Sequence, residues 1–230
     1  MSTQLELVKK SDNKLVYRID AFTMLTTDFI QSLQWPDNIN VINFVFKSPI
    51  ENEDRILAGL PHSPDVGVVY SLKKFKTLTE PAVAAVLQVK VPGANELAKM
   101  YLACRERVFA HVPEKVIPAI DMNVVLAKME NQIKSAKIGY WEVKAKPAGA
   151  IVVTRLANNA DVSVQWVPWV WIDDSLLAEE RRLLHARIRA WLLENIDQEV
   201  QCVVNSFNVR SQKFFRKMGF VPECIRIVKS

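Results

Sequence analysis

Three cysteines, three histidines and six glycines stand in the 230 residues, and their spacing decides which chemistries are closed to the chain. Cys104, Cys202 and Cys224 include no Cys-x-x-Cys pair and their number is odd, so neither a disulfide framework nor a structural zinc site is expected. His62, His111 and His185 lie far apart, none with a histidine or cysteine at ligand spacing, and no metal centre is expected from them. Gly59, Gly67, Gly93, Gly139, Gly149 and Gly219 are nowhere closer than eight residues. That spacing removes the Gly-x-Gly-x-x-Gly dinucleotide turn, the Walker phosphate loop and the Gly-x-Ser-x-Gly nucleophile elbow. No glycine-rich loop cradles a phosphate.

The formal net charge of +5 favours acidic partners such as nucleic acid or phosphorylated ligands. The basic residues are nonetheless spread along the chain. Lys73, Lys74 and Lys76 form one small group and Lys213, Arg216 and Lys217 another, and a solvated surface explains both. No apolar run approaches the ~18 residues of a membrane span, and the opening residues lack a basic start followed by an apolar stretch. Free thiols without an export signal lead to an expected cytoplasmic location and no membrane partner.

The elements that must position any site follow from periodicity. A strand is predicted over 14–20, a helix over 23–34 stopped by Trp35-Pro36-Asp37-Asn38, and strands over 39–46 and 66–71. Lys73 to Pro81 is basic and bounded by proline, which places a boundary near residue 80. Beyond it the pattern predicts a strand over 83–91 and helices over 96–110, capped by Asn95, and 120–135. Next come a hairpin of 137–144 with 148–156 around Lys146-Pro147-Ala148-Gly149, and a strand over 162–171. A long helix over 173–196, a buried strand over 199–204, a short helix over 208–218 and a strand over 220–228 complete the chain. A long helix between two strands implies a parallel crossover, so the class is mixed α/β. Pro168 cannot donate to a ladder and belongs at an edge or a bulge.

Near the end, Asn208, Ser211, Phe214, Phe215, Lys217, Gly219 and Phe220 follow a buried strand at fixed spacing. Asn208 is placed to cap the helix, Gly219 to end it in a left-handed conformation, and Phe214 and Phe220 to plug the core. This pattern resembles the C-terminal motif of the GCN5-related N-acetyltransferase (GNAT) family, and the element order from about residue 83 onward resembles the family fold. The resemblance implies a mixed, mostly antiparallel sheet with a central parallel pair and flanking helices. It divides the chain into an N-terminal α/β extension (1–80) and a GNAT-like acyltransferase domain (81–230). The extension has three readings: a cover for the acceptor side, a partial second copy of the fold, or an interface.

The activity implied by the resemblance is acetyl transfer from acetyl-CoA, or another acyl-CoA, to an amine on a small molecule or a protein. The donor carbonyl is then expected beside Val167 and Trp169, at the bulge that Pro168 makes. Arg181 and Arg182 are the expected cations for the pyrophosphate, and Asn208 and Ser211 the expected contacts with the rest of coenzyme A. Asp173, Glu142 and Gln165 are the candidate catalytic groups for the acceptor amine, with helix capping the alternative for Asp173 and surface exposure for Glu142. Trp166, Trp169 and Trp171 either line a pocket or form core. The chain departs from the family pattern where Ala178 and Glu180 take glycine positions and where Phe215 takes that of a tyrosine acid. The departures support an alternative, a GNAT-fold binding module contacting a protein or nucleic acid. A third reading is transfer from a donor without a pyrophosphate, or modification of a nucleic acid base, which the basic character of the chain would suit.

Overall fold

The structure, a computed structural model, describes residues 5–19, 25, 27–46, 60, 65–72, 86–110, 120–157 and 163–229. Two compact units emerge, one of residues 1–72 with 202–230 and the other of residues 73–201. The boundary expected near residue 80 lies outside the described residues.

The first unit holds β1 (Glu6–Ser11), β2 (Lys14–Ile19), α1 (Thr27–Gln31), β3 (Val41–Phe46) and β4 (Val66–Leu72). From the far end of the chain it takes most of β9 (Val200–Asn205), α5 (Val209–Lys217) and β10 (Val221–Val228). The strands lie in the order β1-β2-β3-β10-β4-β9. β1 and β2 are antiparallel, β2 and β3 parallel, and β10 runs antiparallel to both its neighbours. All of β4 is buried, as a central strand covered on both faces requires. β4 lies between β9 and β10, so an N-terminal strand completes the C-terminal ones. β1 escapes the sequence reading because its side chains are almost all exposed and show no apolar alternation. Asn208 caps α5 by accepting the Ser211 N–H at 3.1 Å, and Gly219 follows at φ +93°, the left-handed geometry that glycine adopts without a Cβ clash.

The second unit holds β5 (Leu87–Gln88), α2 (Ala94–Phe109), α3 (Met122–Ser135), β6 (Lys137–Val143), β7 (Lys146–Ala157), β8 (Ser163–Ile172), α4 (Ala178–Asn195) and the first residues of β9. β5 to β8 pair antiparallel in chain order, and β8 pairs parallel with β9 across the α4 crossover. The fold is mixed α/β, mostly antiparallel, with parallel pairs and flanking helices. One face of this sheet packs Tyr140, Ala150, Val152 and Trp169 against Leu97, Met100, Val125 and Met129 of α2 and α3. The other face takes α4, whose Trp191 meets Trp141 edge-on at 6.0 Å. A Cβ on Gly149 would lie 2.9 Å from Leu184 Cδ2, so a larger residue on β7 would force the Leu184 side chain to shift.

Several elements differ from the sequence expectations: the helix expected to run to residue 34 ends at Gln31, and the strand expected to run to residue 91 ends at Gln88. The β6–β7 turn is Lys144–Ala145, both with positive φ (52° and 58°), and Pro147 to Gly149 lie inside β7. A register shift places Glu142 opposite Pro147 and Trp141 opposite Gly149, which absorbs the proline. α2 starts at Ala94 with Gly93 at its cap, two residues before the expected cap Asn95. α4 starts at Ala178, five residues later than expected, because Asp173 forms a turn of its own.

The connectivity repeats. The β1–β2 hairpin, α1, β3 parallel to β2 and then β4 follow the same sequence of pairings as the β7–β8 hairpin, α4, β9 parallel to β8 and then β10. The repeats differ where it matters chemically. β2 and β3 stay in register over six pairs, Lys14↔Val41 to Ile19↔Phe46, whereas the β8–β9 ladder has Gln165↔Val200 and Trp166↔Gln201 alone. Among the described residues, no helix is long and apolar enough to cross a membrane, and no group of three or more His, Cys, Asp or Glu side chains could hold a metal ion.

Candidate active site

β8 carries the site, and proline makes it. Between Val152↔Trp169 and Thr154↔Trp166, β7 advances two residues while β8 advances three, so Val167 and Pro168 form a bulge. The missing N–H of Pro168 is accommodated there, and the parallel ladder with β9 ends one residue before the bulge starts.

Beyond the bulge, alternate peptide groups of β8 face away from β7. Asp173 N–H donates to Ala148 O at 2.9 Å, which by antiparallel alternation directs Trp171 and Trp169 to β7 and turns Val170 and Ile172 to the other side. Two donors from α2, one turn apart, confirm that direction. Cys104 Sγ–H donates to Val170 O at 3.4 Å and Arg107 Nη1–H to Ile172 O at 2.8 Å. The N–H groups of Val170 and Ile172 point the same way, while the two carbonyls are already engaged. This edge therefore offers donors to an incoming carbonyl oxygen. Val167 sits in the bulge and the Trp169 backbone is laddered to β7, so the donors lie one and three residues beyond the expected Trp169.

Trp169 belongs to the core. Its indole N–H donates to Gln132 Oε1 at 3.1 Å, and Tyr101 meets its ring edge-on at 6.0 Å with Lys128 Nζ stacked 4.1 Å from the Tyr101 centroid. Trp171, on the same face, has a buried Nε1 with no hydrogen-bond partner among the described residues. Tyr140, Ala150 and Trp171 are directly opposed across β6, β7 and β8, so the small Ala150 separates two large polar-tipped rings.

The expected acid–base residues have different placements. Gln165 is 1% exposed, and its Oε1 accepts the Asp197 N–H at 3.0 Å, fixing the start of β9. Asp173 accepts from the Ser175 N–H at 3.1 Å and the Ser175 hydroxyl at 2.6 Å, so its two oxygens hold the turn before α4. Glu142, half-buried on β6, accepts the hydroxyl of Tyr140. Burial, the charges of Glu142 and Glu96 and that hydrogen bond raise the Tyr140 phenol above its ordinary value, so it remains a donor. Burial likewise pushes the Cys104 thiol up against the lowering effect of Arg107. Of the three candidates, Glu142 is the carboxylate not committed to backbone donors. Sequence reading missed Tyr140, Cys104 and Arg107. The two-residue spacing of Tyr140 and Glu142 on one strand face is a signal it could have used.

The turn from β8 into α4 is where the resemblance places a pyrophosphate. Glu180 Oε2 accepts the Leu177 N–H at 3.0 Å and its other oxygen pairs with Lys144 Nζ at 2.8 Å. The Lys144 hydrogen bond, then that of Leu177, holds the Glu180 carboxyl below the usual range, so it is charged. Arg181 Nη2 donates to Asp174 O at 2.9 Å and Leu176 O at 3.2 Å, and Arg107 Nε pairs with Asp174 at 2.8 Å. Arg182 is exposed. The pyrophosphate of coenzyme A fits this turn poorly: two of its amides, those of Ser175 and Leu177, already donate to carboxylates, and among the described residues Lys144, Arg107 and Arg181 are spent on the loop. In the other unit, Asn208 Oδ1 is engaged with the Ser211 N–H. Phe215, 6% exposed, is stacked edge-on between Phe214 and Phe220 at 5.2 and 5.1 Å, an apolar plug with no acid in it.

No protein-family model matches the chain, and no curated protein matches it. Solved structures do. A GNAT-family acetyltransferase from Colwellia psychrerythraea is 11% identical, with 96% of this chain and 79% of that one covered at a TM-score of 0.49. A GCN5-related N-acetyltransferase from Kribbella flavida is also 11% identical, covering 93% and 79% at 0.42. A tandem GNAT protein from the clavulanic acid biosynthesis pathway is 14% identical, covering 98% and 76% at 0.45. With each TM-score below 0.5, the chemistry of this chain turns on its own residues.

Proposed function

We propose that the chain is an N-acyltransferase that moves an acyl group from a thioester to an amine, with the donor laid along the free side of β8. The observation that carries this reading is the Val167–Pro168 bulge, beyond which β8 presents N–H groups to an edge whose carbonyls are engaged. In the reaction the amine nitrogen bonds to the thioester carbon, the carbon–sulfur bond breaks, and the sulfur leaves as thiolate. Charge developing on the acyl oxygen is met by the Val170 N–H, a fixed donor that needs no reorganisation. Glu142, oriented by Tyr140, takes the proton of the amine. It stands two strands from β8, about 10 Å by sheet spacing, so the proton travels through water. Asp173 and Gln165 act as positioning residues for the turn and the start of β9. Acetyl-CoA is the first donor to test. An amine on a small molecule or a protein is the proposed acceptor.

The test is thiol release from acetyl-pantetheine and acetyl-CoA in the presence of a panel of amines. Release that depends on an amine and falls at least about tenfold in Glu142→Gln, with KM little changed, is expected. A folded protein that releases no thiol from either donor overturns the reading. That result would favour the alternative, a non-catalytic module contacting a protein or nucleic acid, which the carboxylate-capped turn before α4 supports.

A further inference from the structure

Resting on the thioester reading above, we infer that the donor is an acyl thioester on a pantetheine arm without the nucleotide diphosphate of coenzyme A. A turn that holds a pyrophosphate needs close backbone approach, unpaired N–H groups and cations free to turn inward. The turn from Asp173 to Leu177 is poor in all three. No glycine stands between Gly149 and Gly219, so side chains project from every position. The Ser175 and Leu177 N–H groups donate to Asp173 and Glu180, two carboxylates of the chain itself standing where phosphate oxygens would. Lys144, Arg107 and Arg181 hold Glu180, Asp174 and the loop carbonyls in turn. A second negative group placed among Asp173, Glu179 and Glu180 would be repelled, whereas the amides of a neutral pantetheine arm require hydrogen bonds alone. The β8 edge supplies those.

The experiment is calorimetric titration of the intact protein with acetyl-pantetheine, with acetyl-CoA and with inorganic pyrophosphate as a competitor. Acetyl-pantetheine is expected to bind no more than about threefold weaker than acetyl-CoA, and millimolar pyrophosphate to displace neither. The paired substitution Glu179→Gln and Glu180→Gln, which keeps an amide oxygen for the Leu177 N–H, is expected to tighten acetyl-CoA about tenfold while leaving acetyl-pantetheine unchanged. A larger preference of the native protein for acetyl-CoA, or displacement by pyrophosphate, overturns the inference and leaves the acyltransferase reading standing. Failure of both thioesters to bind overturns the two together.

Discussion

Replacing Trp169 by phenylalanine probes the support of the bulge directly. The indole N–H donates to Gln132 Oε1 at 3.1 Å, and Gln132 is itself 8% exposed, so water does not readily replace the lost donor. Leaving that oxygen unsatisfied costs about 1–3 kcal/mol. The smaller ring gives up roughly 1 kcal/mol of transfer energy and its contact with Tyr101. Trp169→Phe is therefore expected to destabilise the fold by about 2–4 kcal/mol. Gln132→Met removes the acceptor instead and strands the indole N–H, with an expected loss of about 1–3 kcal/mol. The double variant buries no unpaired group, so its loss should fall short of the sum by about 2–3 kcal/mol. Urea denaturation followed by far-ultraviolet circular dichroism measures all three without relying on tryptophan emission. A double variant whose loss equals the sum of the singles would refute the claim that this hydrogen bond holds Trp169 beside the bulge.

Other consequences are open to measurement. Ala145 has φ 58° in the β6–β7 turn, so Ala145→Gly should stabilise the protein by about 0.5–1 kcal/mol, and a lower urea midpoint would contradict the turn geometry. Phe215→Tyr restores the side chain expected of the family but buries a hydroxyl between two phenylalanine rings; a loss of about 1–3 kcal/mol and no gain in thiol release are expected. Glu180 has its pKa lowered by Lys144 and the Leu177 N–H, so its contribution to stability is complete above the unfolded value of about 4.3 and disappears as pH falls through the lower folded value. The stability difference between the native protein and Glu180→Gln should accordingly be present at neutral pH and shrink under acid. A difference that stays constant across that range speaks against the capping role.

What the sequence made legible is what depends on one residue and its neighbours. Pro168 announces the bulge because a residue without an N–H cannot sit in a ladder, and Asn208 and Gly219 announce the ends of α5 because capping and positive φ are local properties. The remainder of the site is made by contacts that no local pattern encodes. Cys104 and Arg107 stand one turn apart on α2, and nothing local shows that their donors reach carbonyls 66 and 65 residues further along the chain. β4 reads as one more N-terminal strand, but it is continuous in apolar character because it lies between two strands from the other end of the sequence. Asp173, Glu180 and Arg181 are the most instructive case. Acids at a helix start and an arginine one turn in are equally consistent with a capped helix and with an anion site that an arginine neutralises. Which of these obtains depends on where each side chain turns. Once Glu180 has taken the Leu177 N–H and Arg181 the Asp174 and Leu176 carbonyls, the acid caps the helix and the arginine expected for a phosphate serves the loop instead.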